Sequence, residues 1–181
     1  MEVVMTFRFD SSPDGVVTAT TILCCLLLGV LGGLLLFASV GRPTSLDRIV
    51  VGGGGMLCLI VLAGAYVYCP RRFVLTEQAV VVRRPVGDVT IPLRAIRKVQ
   101  ELPADFAPSW RMLGSGGLFG VFGRFESPSL GRVTIYGRRS RGGVMLQTDV
   151  ETIVLRPDEP PALASHLSAS MTGAHRTTGE P

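Results

Sequence analysis

The chain has 181 residues, of which 47% are hydrophobic, and a formal net charge of +4 at pH 7. Its mean hydropathy of +0.41 is high for a water-soluble protein, and the apolar residues are concentrated in the first 70 positions. The four cysteines all lie in apolar stretches of the first 69 residues, which argues against a disulfide-stapled scaffold: Cys24, Cys25, Cys58 and Cys69.

Two long apolar stretches, residues 16–40 and residues 49–69, contain no charged residue. A helix needs about 20 residues to cross the roughly 30 Å hydrocarbon layer of a membrane. We therefore predict a hairpin of two membrane helices joined by a short extracytoplasmic loop. The first stretch is longer than the core of a signal peptide, which is about 7–15 residues, so we expect an uncleaved anchor.

Small residues in both stretches are suited to close helix packing. Gly29 and Gly33 form a G-x-x-x-G pair in the first stretch, and Gly55 and Ala63 lie in the second. Helices in lipid associate where small side chains let their backbones approach. These residues either pack the two helices together or form an interface with another chain. Neither stretch contains Asp, Glu, Lys, Arg or His, which argues against a transporter or channel.

The distribution of basic residues predicts the sidedness of the hairpin. Two spans place both termini on one side of the membrane. That side carries five arginines close to the spans and the loop carries two: Arg8, Arg71, Arg72, Arg83 and Arg84 against Arg42 and Arg48. The positive-inside rule then favours a cell-membrane protein with both termini in the cytoplasm.

The part of the chain from Arg71 onward is basic. It carries 15 of the 18 basic residues and 10 of the 14 acidic residues, a formal charge of +5. A basic domain held near a bilayer attracts anionic headgroups, with about 1 kcal/mol for each well-placed arginine. The alternative is a solubilising surface with no ligand.

From residue 72 the apolar pattern changes to that of short strands. The pattern predicts strands at residues 72–75, 79–84, 89–91, 97–102, 132–137, 144–148 and 152–155. A helix follows, because Asp158 is a suitable cap and Leu163 and Leu167 lie on one face. About seven strands and one C-terminal α-helix predict a small antiparallel β-barrel or sandwich that the helix caps, the layout of a pleckstrin-homology (PH) domain.

Several short motifs carry a resemblance to a known family. They are RFVLT at residues 72–76, IPLRAI at residues 91–96, and GSGGLFG at residues 114–120, which continues through FGRF at residues 122–125. With the two apolar stretches before them, they resemble the bacterial PH-like domain membrane proteins over roughly residues 70–170. The resemblance implies a PH-like fold and no reaction, since most of that family is of unknown function.

The glycine-rich stretch at residues 114–131 is the centre of the candidate site. It lacks the Gly-Lys-Ser/Thr ending of a P-loop, and Phe119 replaces the third glycine of a dinucleotide fingerprint. Aromatic and basic residues alternate here and form a candidate surface for a protein partner or lipid headgroups: Trp110, Arg111, Phe119, Phe122, Arg124 and Phe125. Alternatively, the aromatic residues fill the barrel and the glycines allow a bulged crossing.

A basic turn at residues 136–143 adds Arg138, Arg139 and Arg141 to the candidate surface. It is either a solvated turn or a contact for anionic lipid. Stacking aromatics are absent beside it, so we predict no nucleic-acid partner. The sequence has no metal-ligand spacing and no catalytic motif, so we predict no metal, no cofactor and no catalysis.

These features predict a membrane-anchored binding or scaffold module. It would position a protein partner, or a second copy of itself, at the inner face of the membrane. A peripheral reader of anionic lipid headgroups and an accessory subunit docked through the hairpin are the alternatives. The predicted organisation is a cytoplasmic tail (1–15), membrane helix (16–40), loop (41–48), membrane helix (49–69), PH-like domain (70–171) and disordered tail (172–181).

Overall fold

The computed structural model describes residues 6–107 and 110–177, except the side chains of residues 110, 111 and 172–177. Its elements in chain order are β1 (Phe7–Asp10), α1 (Gly15–Val40), α2 (Ser45–Val67), β2 (Arg72–Leu75), β3 (Ala79–Arg83), β4 (Val89–Pro92), a 3-10 turn (Leu93–Ala95), β5 (Ile96–Leu102), β6 (Trp110–Gly116), β7 (Val121–Ser127), β8 (Gly131–Gly137), β9 (Gly143–Thr148), β10 (Thr152–Arg156) and α3 (Pro160–Thr177).

The two apolar stretches form helices α1 and α2, which are long and apolar enough to cross a membrane. Asp14 caps α1 by accepting a hydrogen bond from Val17 N–H at 2.9 Å. Helix α2 begins at Ser45, four residues before the predicted start, because Thr44 caps it and accepts a hydrogen bond from Asp47 N–H at 3.2 Å. The polar first turn of α2 therefore belongs to the helix as well.

The two helices pack closely at one glycine pair. A Cβ atom added to Gly55 would lie 2.7 Å from the Gly32 carbonyl oxygen, so neither backbone leaves room for a side chain there. A Cβ added to Gly29 or Gly33 would meet nothing within 4 Å, and Ala63 is exposed. The close contact between the two helices is therefore at Gly32 and Gly55, and there is space for a side chain at Gly29 and Gly33.

The remaining chain forms two open sheets rather than a closed barrel. One sheet has the order β1-β2-β3-β4, and the other has the order β5-β9-β10-β8-β7-β6. All neighbours are antiparallel except β8 and β10, which pair in parallel because the β9 strand between them in sequence lies on the far side of β10. The predicted PH-like β domain with a C-terminal helix is confirmed, and the described residues form ten strands where the sequence predicts about seven.

Two hydrophobic clusters lie on opposite faces of the six-stranded sheet. The alternation of β9 and β10 separates them: Leu146 and Leu155 face the four-stranded sheet and α3, whereas Met145 and Val154 face the other way. Val17 from the first turn of α1 is buried in the second cluster. The start of the first apolar helix is therefore part of the core of the domain.

The segment before α1 is also built into the domain. Strand β1 pairs with β2 along four residues, from Phe7–Leu75 to Asp10–Arg72. Ser11 donates a hydrogen bond to the Arg156 carbonyl at 2.7 Å, and Asp158 accepts hydrogen bonds from the Ser12 N–H and hydroxyl. The sequence predicts a separate tail for residues 1–15, but residues 7–12 in the structure belong to the domain.

Helix α3 closes the first cluster with Leu163 and Leu167, which are fully buried. It runs to Thr177, beyond residue 172, where the sequence predicts that the disordered tail begins. Extension of an existing helix is easier than its nucleation, which explains why polar residues at its end continue the helix.

Candidate functional site

A groove of about 800 Å³ lies between the end of α2 and the outer strands of the six-stranded sheet. One wall is formed by Val61, Gly64, Ala65 and Tyr68, which follow the helical spacing i, i+3, i+4, i+7. These residues lie in and directly after the second candidate membrane span. The groove is thus placed at the junction between the hairpin and the β domain.

The opposite wall is one face of strands β6, β7 and β8. Cross-strand pairing puts six groove residues into two rows: Ser115, Phe122 and Tyr136 in one, and Leu113, Arg124 and Thr134 in the other. Side chains alternate between the faces of a strand. Phe125 therefore points away from the groove and is buried in the second cluster.

Two facing glycines shape this wall. Gly114 and Gly123 pair across β6 and β7, with φ angles of +127° and +117° that disfavour any residue with a side chain. A Cβ on Gly114 would lie 2.1 Å from the Phe122 carbonyl oxygen, and one on Gly123 would lie 2.2 Å from that of Leu113. The close approach of the two strands depends on glycine at both positions.

Two arginines give the otherwise apolar groove a positive charge. The Arg84 guanidinium lies 5.6 Å from the Tyr68 ring centroid and donates to the Gly87 carbonyl. Arg124 is exposed, and its side chain has no hydrogen bond or ion pair with the part of the chain that the structure describes. No carboxylate is among the lining residues so described.

Two acidic residues are hydrogen-bonded to residues that line the groove. Glu151 accepts a hydrogen bond from the Thr134 hydroxyl, and Asp88 forms an ion pair with Arg83. Burial raises the pKa of the Tyr136 phenol, the Glu151 carboxylate raises it further, and two arginines partly oppose both effects. The phenol is therefore protonated at neutral pH and is a hydrogen-bond donor beside the groove.

The glycine-rich turn between β6 and β7 contacts both α1 and α2, the two candidate membrane helices. From α1, the Thr21 hydroxyl donates to the Gly117 carbonyl at 3.2 Å and accepts from Phe119 N–H at 2.8 Å. From the end of α2, the Tyr66 ring meets the Phe119 ring edge-on at 5.4 Å, and the Cys69 thiol donates to the Phe119 carbonyl at 3.0 Å. This turn fixes the two helix ends relative to the domain.

A second polar junction holds the start of α1. The Asp14 carboxylate accepts hydrogen bonds from Ser140 N–H at 2.7 Å and from the Ser140 hydroxyl. Burial alone would raise the pKa of Asp14, but the hydrogen bonds from Ser140 and Val17 outweigh it and hold the pKa below its ordinary value. Asp14 thus joins the helix to the basic turn as a carboxylate.

The Arg156 side chain binds the backbone of that basic turn. Its side chain is fully buried and donates to the carbonyls of Arg139 and Ser140 at 2.9 and 2.7 Å. Burial lowers the pKa of Arg156 to about 10, with the Asp14 charge acting in the opposite direction. The guanidinium therefore remains charged at neutral pH and stabilises the carbonyl groups of the basic turn.

The predicted aromatic residues occupy different environments. Phe122 lies on the groove wall, Phe119 lies at the helix junction, and Phe125 is in the core. The side chain of Trp110 is outside the described residues. The structure therefore does not assemble the three phenylalanines that it describes into one surface.

The predicted arginines are also distributed. Arg124 lines the groove, while Arg138 donates to the Phe119 carbonyl at 3.4 Å and Arg139 forms an ion pair with Asp158 at 3.6 Å. Arg141 is exposed. The side chain of Arg111 lies outside the described residues.

Several groove residues were missing from the sequence prediction of the site. The sequence places Tyr68 in a predicted membrane helix and Arg84 and Thr134 in predicted strands, each without a ligand role. It assigns Leu113 to no element, and Tyr136 enters only as the first residue of the basic turn. The spacing of Val61, Gly64, Ala65 and Tyr68 places them on one face of α2, but the sequence does not identify that face as part of a site, because every face of an isolated membrane helix is apolar. Only the packing against the sheet distinguishes this face from the others.

The family model for the bacterial PH domain matches residues 71–170, more than half of the chain. The chain belongs to the bacterial PH domain family. No curated protein and no solved structure matches it. The match begins after α2, so the PH domain of this chain is completed by β1 and by Val17 from outside the matched residues.

Proposed function

We propose that this chain is a membrane-anchored scaffold whose PH domain is held in a fixed orientation at the inner face of the cell membrane. It would position a protein partner, or a second copy of itself, by binding and without catalysis. The family is generally non-catalytic, and PH domains often bind lipids or proteins. Confinement to the membrane raises the effective concentration of the domain near membrane partners.

The observation that carries this proposal is the attachment of the domain at both ends of the hairpin. At the start of α1, Val17 is buried in the core and Asp14 binds Ser140. At the end of α2, Cys69 is buried against the glycine-rich turn. A domain on a flexible linker would have one attachment and no shared core, so this arrangement favours a role that depends on orientation.

The scaffold role is tested by cross-linked purification of the full chain from native membranes. The comparison is a chain with about 20 Gly/Ser residues inserted between Pro70 and Arg71. This insertion releases the end of α2 from the domain and leaves the attachment at the start of α1 in place. Its control has the same insertion in the exposed turn at Val150. We expect one specific protein, or a differently tagged copy, with the full chain and the control, and several-fold less with the first insertion. Equal recovery from all three would contradict a role that depends on orientation.

The proposed sidedness has its own test. In a chain whose four cysteines are replaced by alanine, Val150→Cys places a thiol on a domain position that is 93% exposed, and Pro43→Cys places one in the hairpin loop. A membrane-impermeant maleimide should label Pro43→Cys in intact cells and Val150→Cys only after permeabilisation. The reverse pattern would place the domain outside the cell.

A further inference from the structure

We infer that the groove between α2 and strands β6–β8 binds one anionic membrane lipid, with an acyl chain along α2 and a phosphate between Arg84 and Arg124. This inference rests on the proposed crossing of the membrane by the two helices, but it does not depend on a protein partner. It assigns a ligand to the groove beside the junction of α2 and the glycine-rich turn.

The position of the groove favours an occupant from the bilayer. Val61, Gly64 and Ala65 lie within α2, which is apolar enough to span a membrane, and the helix continues without a break to Val67. An acyl chain that lies along this helix can enter the groove sideways without exposure to water. The volume of about 800 Å³ is in the range of small-molecule sites, about 300–1,000 Å³.

The lining of the groove matches an amphiphile. The α2 wall and the side chains of Leu113 and Phe122 supply apolar surface, and the arginines supply the charge. Arg84, Arg124 and Tyr136 line the same groove, and both arginines lower the pKa of the Tyr136 phenol, against the effects of burial and of the Glu151 carboxylate. Two guanidinium groups and a phenol are suitable donors for a phosphate.

Charge complementarity favours an anionic headgroup over a zwitterionic one. The described lining residues include two arginines and no carboxylate, and the single Glu151 carboxylate, which binds the lining Thr134 hydroxyl, offsets only part of their charge. A zwitterionic headgroup would bring its cation close to these two arginines, while Glu151 is already hydrogen-bonded to Thr134. We therefore expect selectivity for phosphatidylglycerol over phosphatidylcholine.

The test uses the full chain, purified in detergent, with phosphatidylglycerol, phosphatidylcholine or inorganic phosphate added. Native mass spectrometry counts the molecules that each chain retains. We expect one phosphatidylglycerol per chain at saturation, at least about tenfold weaker retention of phosphatidylcholine, and no displacement by millimolar inorganic phosphate. Retention of phosphate without lipid, or equal retention of both lipids, would overturn the inference.

Variants separate the groove from the general basic surface. Arg84→Gln with Arg124→Gln should weaken phosphatidylglycerol retention at least about tenfold. Each substitution removes a charge-assisted hydrogen bond to the phosphate, which contributes favourably to the free energy of lipid binding. Arg94→Gln with Arg141→Gln removes the same charge from two exposed sites and should have less than a twofold effect. An equal loss in both double variants would identify diffuse attraction and overturn the inference.

A groove-filling variant leaves the charges in place. A Cβ on Gly64 meets no atom within 4 Å, so Gly64→Trp can extend into open space beside the groove. This variant should lose lipid retention while its thermal unfolding stays close to that of the parent chain. Undiminished retention would overturn the inference, as would a photo-cross-linker at Leu113 that captures protein instead of lipid. If the lipid-binding experiments fail, the cysteine-labelling and cross-linking tests of the scaffold proposal are unaffected. The lipid inference and the scaffold proposal can therefore be tested separately.

Discussion

Val17→Asp should destabilise the PH domain by about 3 kcal/mol or more, although residue 17 precedes the family match by more than 50 residues. Val17 is 1% exposed and contacts the cluster on the second face of the six-stranded sheet. A carboxylate at this position would be buried among apolar side chains without a partner, which is one of the few mechanisms that produce losses of this size. Thermal unfolding of the full chain in detergent measures the loss, with an expected shift of about 6–12 °C.

The matched control is Val16→Asp, one residue earlier on the same helix. Val16 is 64% exposed, so the same carboxylate stays hydrated and should change the unfolding temperature little. Val17→Ala should fall between the two, at about 2 kcal/mol, since it removes two buried methyl groups and leaves a cavity. Equal effects of Val16→Asp and Val17→Asp would show that the start of α1 is not in the core.

Gly123→Ala should disrupt the β6–β7 pair, at a cost of about 3 kcal/mol or more. The new Cβ would lie 2.2 Å from the Leu113 carbonyl oxygen and 2.7 Å from the Gly114 Cα, and both obstacles are backbone. The φ angle of +117° adds strain that a residue with a side chain cannot relieve locally. Thermal unfolding measures the loss of stability, and hydrogen exchange of the β6 amides measures the separation of the strands.

Gly131→Ala is the control for backbone conformation alone. Gly131 has a φ angle of +67°, but a Cβ there meets no atom within 4 Å. Its substitution should cost about 1–2 kcal/mol from the left-handed conformation. The difference between the two variants isolates the steric contact. If Gly123→Ala costs no more than Gly131→Ala, then β6 does not approach β7 as described.

Much of the fold was predictable because its elements have strong local patterns. The two apolar stretches predict α1 and α2, and the alternating Val-rich segments predict β2, β3, β9 and β10. Helix α3 follows from the spacing of Leu163 and Leu167. These elements are specified by a period that is visible within each segment.

Strands β6 and β7 were not predictable, because five glycines between residues 114 and 123 remove the alternation that indicates a strand. The same lack of pattern hides which face each aromatic residue occupies. A shift of one residue exchanges the faces, so Phe122 and Phe125 could not be divided between groove and core. Strand β1 was missed because its four residues form a strand only through pairing with β2, which lies after the hairpin.

The groove was even harder to predict from the sequence than these strands. Arg84 and Arg124 are 40 residues apart and are brought together by the packing of two sheets. The sequence predicts Arg124 as part of a partner or lipid surface, but it places Arg84 at the end of a predicted strand with no ligand role. Their convergence beside Tyr136 is a property of the tertiary structure.

The most direct test of this account is hydrogen exchange of the full chain in lipid nanodiscs, compared between the β1 amides and those of β2. If β1 is an integral strand of the domain, the amides of Phe7 and Phe9, which point towards β2, should be protected together with their partners. If the Phe7 and Phe9 amides exchange within seconds while β2 and β3 stay protected, the start of the chain is a free tail, and the attachment of the domain at both ends of the hairpin is contradicted.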